Sequence, residues 1–175
     1  MDFIRKQFSE AQSVLAEFST EENFELINKA GSVMSHALKN GNKIISCGNG
    51  GSMSDAMHFA EELSGRYRGD RKPLAAIAIS DSGHLTCVGN DYGYDQIFSR
   101  FVDGLGKEGD VLLAISTSGN SANVINAITS AKNAGIKSVL VQTGYAGKDG
   151  SFEVNPDFIA KDLSEAVKLI LKEIG

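Results

Sequence analysis

The N-terminal part of the chain carries apolar positions at helical spacing. Phe3, Ile4, Phe8, Ala11, Val14 and Leu15 form one stripe, and Phe24, Ile27, Ala30, Val33, Met34 and Leu38 form a second. The spacing predicts two helices, the second stopped by Gly41, a residue suited to the position just past a helix C-cap. After Gly41 the pattern changes. Continuous apolar runs at 43–47 (KIISC), 73–80 (PLAAIAIS), 110–116 (DVLLAIS) and 137–143 (KSVLVQT) predict strands, and the stretches at roughly 53–65, 95–104 and 121–134 predict helices. Strands without polar alternation, separated by helices, indicate a parallel sheet covered on both faces. There is no internal repeat, low-complexity tract or linker. The chain therefore reads as one α/β domain over 1–175, with a helical extension over 1–40.

Ligands of such sheets gather at the carboxyl ends of the strands. Four loops are expected there: CGNGGS, SDSGH, STSGNS and QTGYAGKDG. In the first, Asn49, Gly50, Gly51 and Ser52 lead from a strand into a helix, and the glycines let backbone N–H groups approach a ligand beside a helix N-terminus that favours an anion. The dinucleotide fingerprint fails there, because Met53 stands where a third Gly or Ala is needed, and no GxxxxGK[ST] phosphate loop occurs anywhere. In the third loop, Ser116, Thr117, Ser118 and Ser121 place four hydroxyls within six residues, with Gly119 in the turn and Ser121 at the expected N-cap. One cap needs one hydroxyl, so the cluster points to a phosphomonoester held by hydroxyls, amides and a helix N-terminus. Neither loop contains Lys or Arg, unlike a nucleoside triphosphate site, and a sugar monophosphate is the ligand of matching size.

On the helix after the glycine loop, His58 and Glu62 are four apart and share a face, with Glu61 slightly off it. Such a pair can bind a divalent metal or act in acid–base chemistry, and it can equally be a surface helical pair. Arg66 and Arg68 follow, able to steer an anion or simply to face solvent. Asn90 and Asp91, in a turn-like NDYG segment, offer paired donor and acceptor groups for sugar hydroxyls, whereas His36, inside the second helix, reads as structural.

Composition narrows the classes. With 17 Lys plus Arg against 22 Asp plus Glu the net charge is −5, and without a basic block the chain is a poor partner for nucleic acid. No apolar run approaches the roughly 20 residues that span a bilayer, so no membrane partner is expected. The only cysteines, Cys47 and Cys87, form no CxxC, which excludes a disulfide scaffold and a cysteine zinc finger. A cytoplasmic protein is expected.

The segments CGNGGS, DAMHFAEELSGRYR, AIAISD, CVGNDYGYDQIFSR and EGDVLLAISTSGNSANVINAI together resemble phosphoheptose isomerase, a sugar isomerase (SIS) domain enzyme. The resemblance runs from about residue 1 to 136. It implies a three-layer sandwich with a five-stranded parallel sheet, a homotetramer with active sites between subunits, and in many members a zinc ion. It implies conversion of sedoheptulose 7-phosphate to D-glycero-D-manno-heptose 7-phosphate for bacterial surface polysaccharide (lipopolysaccharide or capsule). By motif, Asn49, Gly50, Gly51 and Ser52 match its sugar loop, Ser116, Thr117, Ser118 and Ser121 its phosphate loop, and Asn90 and Asp91 a substrate-contacting pair. His58 and Glu62 match two metal ligands, and Glu62 also matches a catalytic acid/base.

The tail departs from the family. Its final helix is expected to carry a Gln and a His that complete the metal site, the His also serving as second acid/base. DLSEAVKLILKEIG has neither. Residues 131–171 instead resemble the end of a haloacid dehalogenase-type heptose bisphosphate phosphatase, without the DxDxT-type nucleophile strand that chemistry needs. The segment 131–175 is therefore expected to diverge. The leading expectation is an aldose–ketose isomerase; the alternative is a non-catalytic sugar-phosphate-binding module with an incomplete acid/base and metal site.

Overall fold

The computed structural model describes residues 1–141 and 156–160. Helices α1 (Asp2–Phe18) and α2 (Glu21–Lys39) precede β1 (Ile44–Gly48), α3 (Gly51–Ser64), β2 (Ala76–Ala78) and α4 (Ser82–Tyr92). A 3₁₀ turn (Tyr94–Gln96), α5 (Ser99–Leu105), β3 (Val111–Ile115), α6 (Ala122–Asn133), β4 (Lys137–Val141) and β5 (Phe158–Ala160) complete them. The five strands are all parallel, in the order β2-β1-β3-β4-β5.

Every residue of β1 and β3 is buried, because helices cover both faces. Leu112 and Ala114 pack with Ile45 and Cys47 against α4, α5 and α6, while Val111, Leu113 and Ile115 face α2 and α3. Period-two alternation along one strand thus feeds two separate cores, and the expected three-layer sandwich is present. Burial of Cys47 pushes its thiol up to about 12, which leaves it inert.

The order of strands creates a switch point. The connection from β1 runs outward through α3 to β2, whereas that from β3 runs the other way through α6 to β4. The carboxyl ends of these adjacent strands therefore open a crevice between two diverging loops. These are the glycine loop after β1 and the hydroxyl loop after β3.

Three expectations change. The run 73–80 pairs only at Ala76–Ala78, since β2 is an edge strand with β1 as its one neighbour. The helix expected at 95–104 is divided into the 3₁₀ turn and α5. The segment SDSGH is not a loop: Asp81 caps α4 by accepting the His84 amide at 2.7 Å, and Asn90 and Asp91 sit in its last turn. The loop expected at 142–150 and the helix expected at the end of the chain fall outside the described residues, as does most of the segment 131–175 that was expected to diverge. No helix among the described residues is long and apolar enough to cross a membrane.

At the amino ends of the central strands Asp110, fully buried, clamps β1 to β3. Its carboxylate accepts the Lys43 and Lys107 amides at 3.0 Å and is paired with the Lys43 ammonium. Burial alone would raise its pKa, but those hydrogen bonds, chiefly from Lys43, hold it below the usual carboxylate value. A depressed folded pKa contributes stability that is present above the unfolded value of about 3.9 and lost as pH falls through the folded one. Asp110→Asn is expected to lower unfolding stability at pH 7 by about 1–3 kcal/mol and to shrink the loss below pH 4, as urea midpoints measured across pH would show. An unchanged acid limb would remove Asp110 from that role.

Candidate active site

The glycine loop is shaped by two glycines. A Cβ at Gly48 would lie 2.6 Å from the Ser52 carbonyl oxygen, so only glycine lets α3 start so close to β1. Gly50, at φ +56 and ψ −118, takes a conformation that L residues rarely adopt. The turn is closed by the Ser52 amide donating to Asn49 O at 3.0 Å and the Met53 amide to Gly50 O at 3.0 Å. The amides of Gly50 and Gly51 are left at the mouth of the α3 N-terminus. Ser52, the second residue of α3, is buried.

In the hydroxyl loop, Ser116 Oγ accepts the Gly119 amide at 3.1 Å and Ser118 Oγ accepts the Asn120 amide at 3.1 Å. Gly119, at φ +73, makes the reversal. A serine oxygen that accepts from the backbone keeps its own O–H proton to donate elsewhere. Ser121 is the N-cap residue of α6, yet its hydroxyl does not cap; it lies 3.4 Å from Ser116 Oγ. The bland account of this serine, as a capping side chain, therefore fails. Thr117 is exposed. The loop thus gathers several hydroxyls at a helix N-terminus, groups able to donate to a phosphate dianion without a cation.

Asn90 and Asp91 are exposed and joined by an Asn90 Nδ2–Asp91 Oδ1 bond of 2.7 Å. Gly93, at φ +90, then turns the chain into the 3₁₀ turn, whose Tyr94 hydroxyl donates to Asn49 Oδ1 at 3.0 Å. Three segments distant in sequence therefore meet at the crevice.

On α3, His58 Nε2 is 3.1 Å from Glu62 Oε1 and 3.8 Å from Glu61 Oε1. Glu61 is the more distant and more exposed of the two carboxylates, slightly off the face, yet its long side chain still reaches toward the same ring. The ligand atoms of the three lie within 4.8 Å of one another. Arg71 caps this end of the helix: its guanidinium donates to Leu63 O at 2.8 Å and to the Glu62 carbonyl, fixing the turn that carries both glutamates. Arg66 and Arg68 are exposed, the latter over the Tyr67 ring. His84 Nε2 donates to Ile97 O at 2.8 Å and its ring meets Phe101 edge-on, a structural role rather than a ligand's. His36 lines a cavity of about 310 Å³ beside the first residues of β3 and β4, the end of the sheet away from the loops.

Sequence reasoning did not single out Asn123, Tyr94 or Arg71. Asn123 and Tyr94 act on Asn49 from 74 and 45 residues away, which no local pattern reveals.

The sequence matches the SIS domain family over residues 7–142. Relatives named phosphoheptose isomerase from Enterobacter sp. (strain 638) and Pectobacterium atrosepticum are each 55% identical over 150 residues, 85% of this chain and 76% of theirs. The solved phosphoheptose isomerase GmhA from Neisseria gonorrhoeae is 35% identical with a TM-score of 0.76, covering 99% of this chain and 97% of that one. One from Francisella tularensis is 31% identical with a TM-score of 0.82, covering 99% and 93%. With the glycine loop and the hydroxyl ring facing each other across its switch point, the chain belongs to the SIS domain family and, within it, to the phosphoheptose isomerases.

Proposed function

We propose that this isomerase interconverts sedoheptulose 7-phosphate and D-glycero-D-manno-heptose 7-phosphate, in the cytoplasm, for bacterial surface polysaccharide. The observation that carries the reading is the ring of hydroxyls at 116–121 set opposite the glycine loop across one crevice. The ring takes the phosphate, so the open-chain sugar extends toward Asn49, Gly50 and Gly51, with Asn90 and Asp91 at its hydroxyls. Glu62 removes a proton from C1 of the ketose as O2 gains one, giving a cis-enediol. Return of the proton at C2, with loss of the O1 proton, gives the aldose. The free cysteines fit a reducing compartment.

Zinc fits the donor set on α3. The 3.1 Å between His58 Nε2 and Glu62 Oε1 is close to the roughly 3.3 Å between two ligands each about 2.0–2.1 Å from a tetrahedral ion. His58 and Glu62 would hold it, with Glu61 as a third donor, and a bound zinc supplies Lewis-acid polarisation of the sugar oxygens.

A homotetramer with sites between subunits is supported by two features. Glu62 lies eleven residues into α3, about 16 Å along its axis from the glycine loop at 1.5 Å per residue, so a second subunit is the natural way to bring it to the crevice. In addition, α1 buries no residue within its own chain.

Turnover of sedoheptulose 7-phosphate by the purified chain tests the proposal, and saturable binding without product would establish the non-catalytic alternative instead. Ser118→Ala and Ser121→Ala are each expected to weaken substrate affinity by about ten- to a hundredfold, since each removes a hydrogen bond to a charged group. Unchanged KM in both would take this loop out of the site.

A further inference from the structure

We infer that Asn123 is a positioning residue, acting with Tyr94 to set the glycine loop against the phosphate loop. The inference rests on the isomerase reading of the site. Asn123 occupies the second position of α6, directly after the hydroxyl ring, and is 2% exposed. A buried amide is costly unless its groups are paired, and an apolar side chain would fill the same space at less cost. Its partner is Asn49. Asn49 Nδ2 donates to Asn123 Oδ1 at 2.9 Å, and Asn123 Nδ2 donates back to Asn49 Oδ1 at 2.9 Å. The Tyr94 hydroxyl adds the third bond, to Asn49 Oδ1 at 3.0 Å.

The consequences follow from counting donors and acceptors. An amide oxygen has two lone pairs, and both of those on Asn49 are taken; of its two N–H groups one is taken. Asn49 therefore presents a single N–H to a ligand, aimed by the pair, and serves the sugar as a donor to one oxygen. The same three bonds tie together all three segments of the crevice. Asn123 belongs to the phosphate-loop helix, Asn49 to the glycine loop, and Tyr94 follows the Asn90–Asp91 turn. Asn126, one turn further along α6, donates to Asp95 O at 3.0 Å and holds the 3₁₀ turn in place. Distance between the phosphate anchor and the sugar donors is then set by a side-chain pair that touches no phosphate.

The test is a double-mutant cycle on the full chain, read in the KM and kcat for sedoheptulose 7-phosphate and in the inhibition constant of inorganic phosphate. Asn123→Ala is expected to raise KM by about tenfold while the phosphate constant moves less than twofold. Asn49→Ala with Asn123→Ala is expected to be no worse than Asn49→Ala alone, since one interaction cannot be lost twice. Tyr94→Phe, at a side chain 60% exposed, removes only a hydroxyl and so folds even where Asn123→Ala does not; a two- to fivefold rise in KM is expected. Additive losses, an equal rise in the phosphate constant, or an unaltered KM in Tyr94→Phe would overturn the inference while leaving the isomerase reading intact. A wild-type chain that binds the sugar phosphate no better than inorganic phosphate would sink both.

Discussion

Glu62→Gln is expected to cut turnover of sedoheptulose 7-phosphate by about 10²–10⁴-fold with KM nearly unchanged. A positioned acid–base group contributes about that much in rate, and the amide can neither take nor return a proton. The substitution keeps shape and leaves the phosphate anchor, on a different strand end, untouched. Glu61→Gln should be milder. Glu61 lies 3.8 Å from His58 Nε2 against 3.1 Å for Glu62, and its side chain is 71% exposed against 23%, so it is the less held of the two carboxylates. The helix end that carries both is pinned through Glu62 O and Leu63 O by Arg71, so the comparison is between two side chains on one fixed turn. Single-turnover rates alongside KM separate chemistry from binding. Equal loss at the two positions would mean that the His58–Glu61–Glu62 cluster acts as a unit, through a shared metal, rather than through one proton carrier.

The central sheet was legible because β1 and β3 are buried on both faces and read as unbroken apolar runs. Helix α4 was not. Its sequence SGHLTCVGNDY contains two glycines and a threonine and buries only Val88, so it has no apolar stripe; the one sequence signal was Asp81 three residues before His84. The excess of hydroxyls at 116–121 was visible in the sequence, but Ser121's failure to cap α6 was not: it holds the N-cap position without a side-chain capping bond. The Asn49–Asn123 pair could not be read in advance, since its amides are 74 residues apart and neither belongs to a recognisable spacing. In the N-terminal helix the stripe was visible, but a stripe names no partner.

That stripe carries the second large expectation. Phe8→Glu with Leu15→Glu should convert the protein to monomers and remove most of its turnover. In α1, Phe3, Phe8, Val14 and Leu15 are 74%, 70%, 66% and 62% exposed, and no residue of the helix is buried. A helix of this length gains little stability alone in water, so an amphipathic face of this kind is held in place by what it packs against. In the homotetramer proposed above, a second copy of the chain supplies the matching apolar face by symmetry. Burying Phe and Leu contributes about 1.5–3 kcal/mol each, so losing both per subunit weakens assembly by about 10²–10⁴-fold, before the cost of confining the new carboxylates. Light scattering or sedimentation reads the assembly. Turnover should fall with it if the site lies between subunits as proposed, since Glu62 sits about 16 Å along α3 from the glycine loop of its own chain. The core is untouched by these changes, so the thermal transition of the α/β body should persist in the monomer. A monomer with full turnover would place the entire site within one chain, and an intact tetramer would assign the exposed stripe of α1 to some other contact.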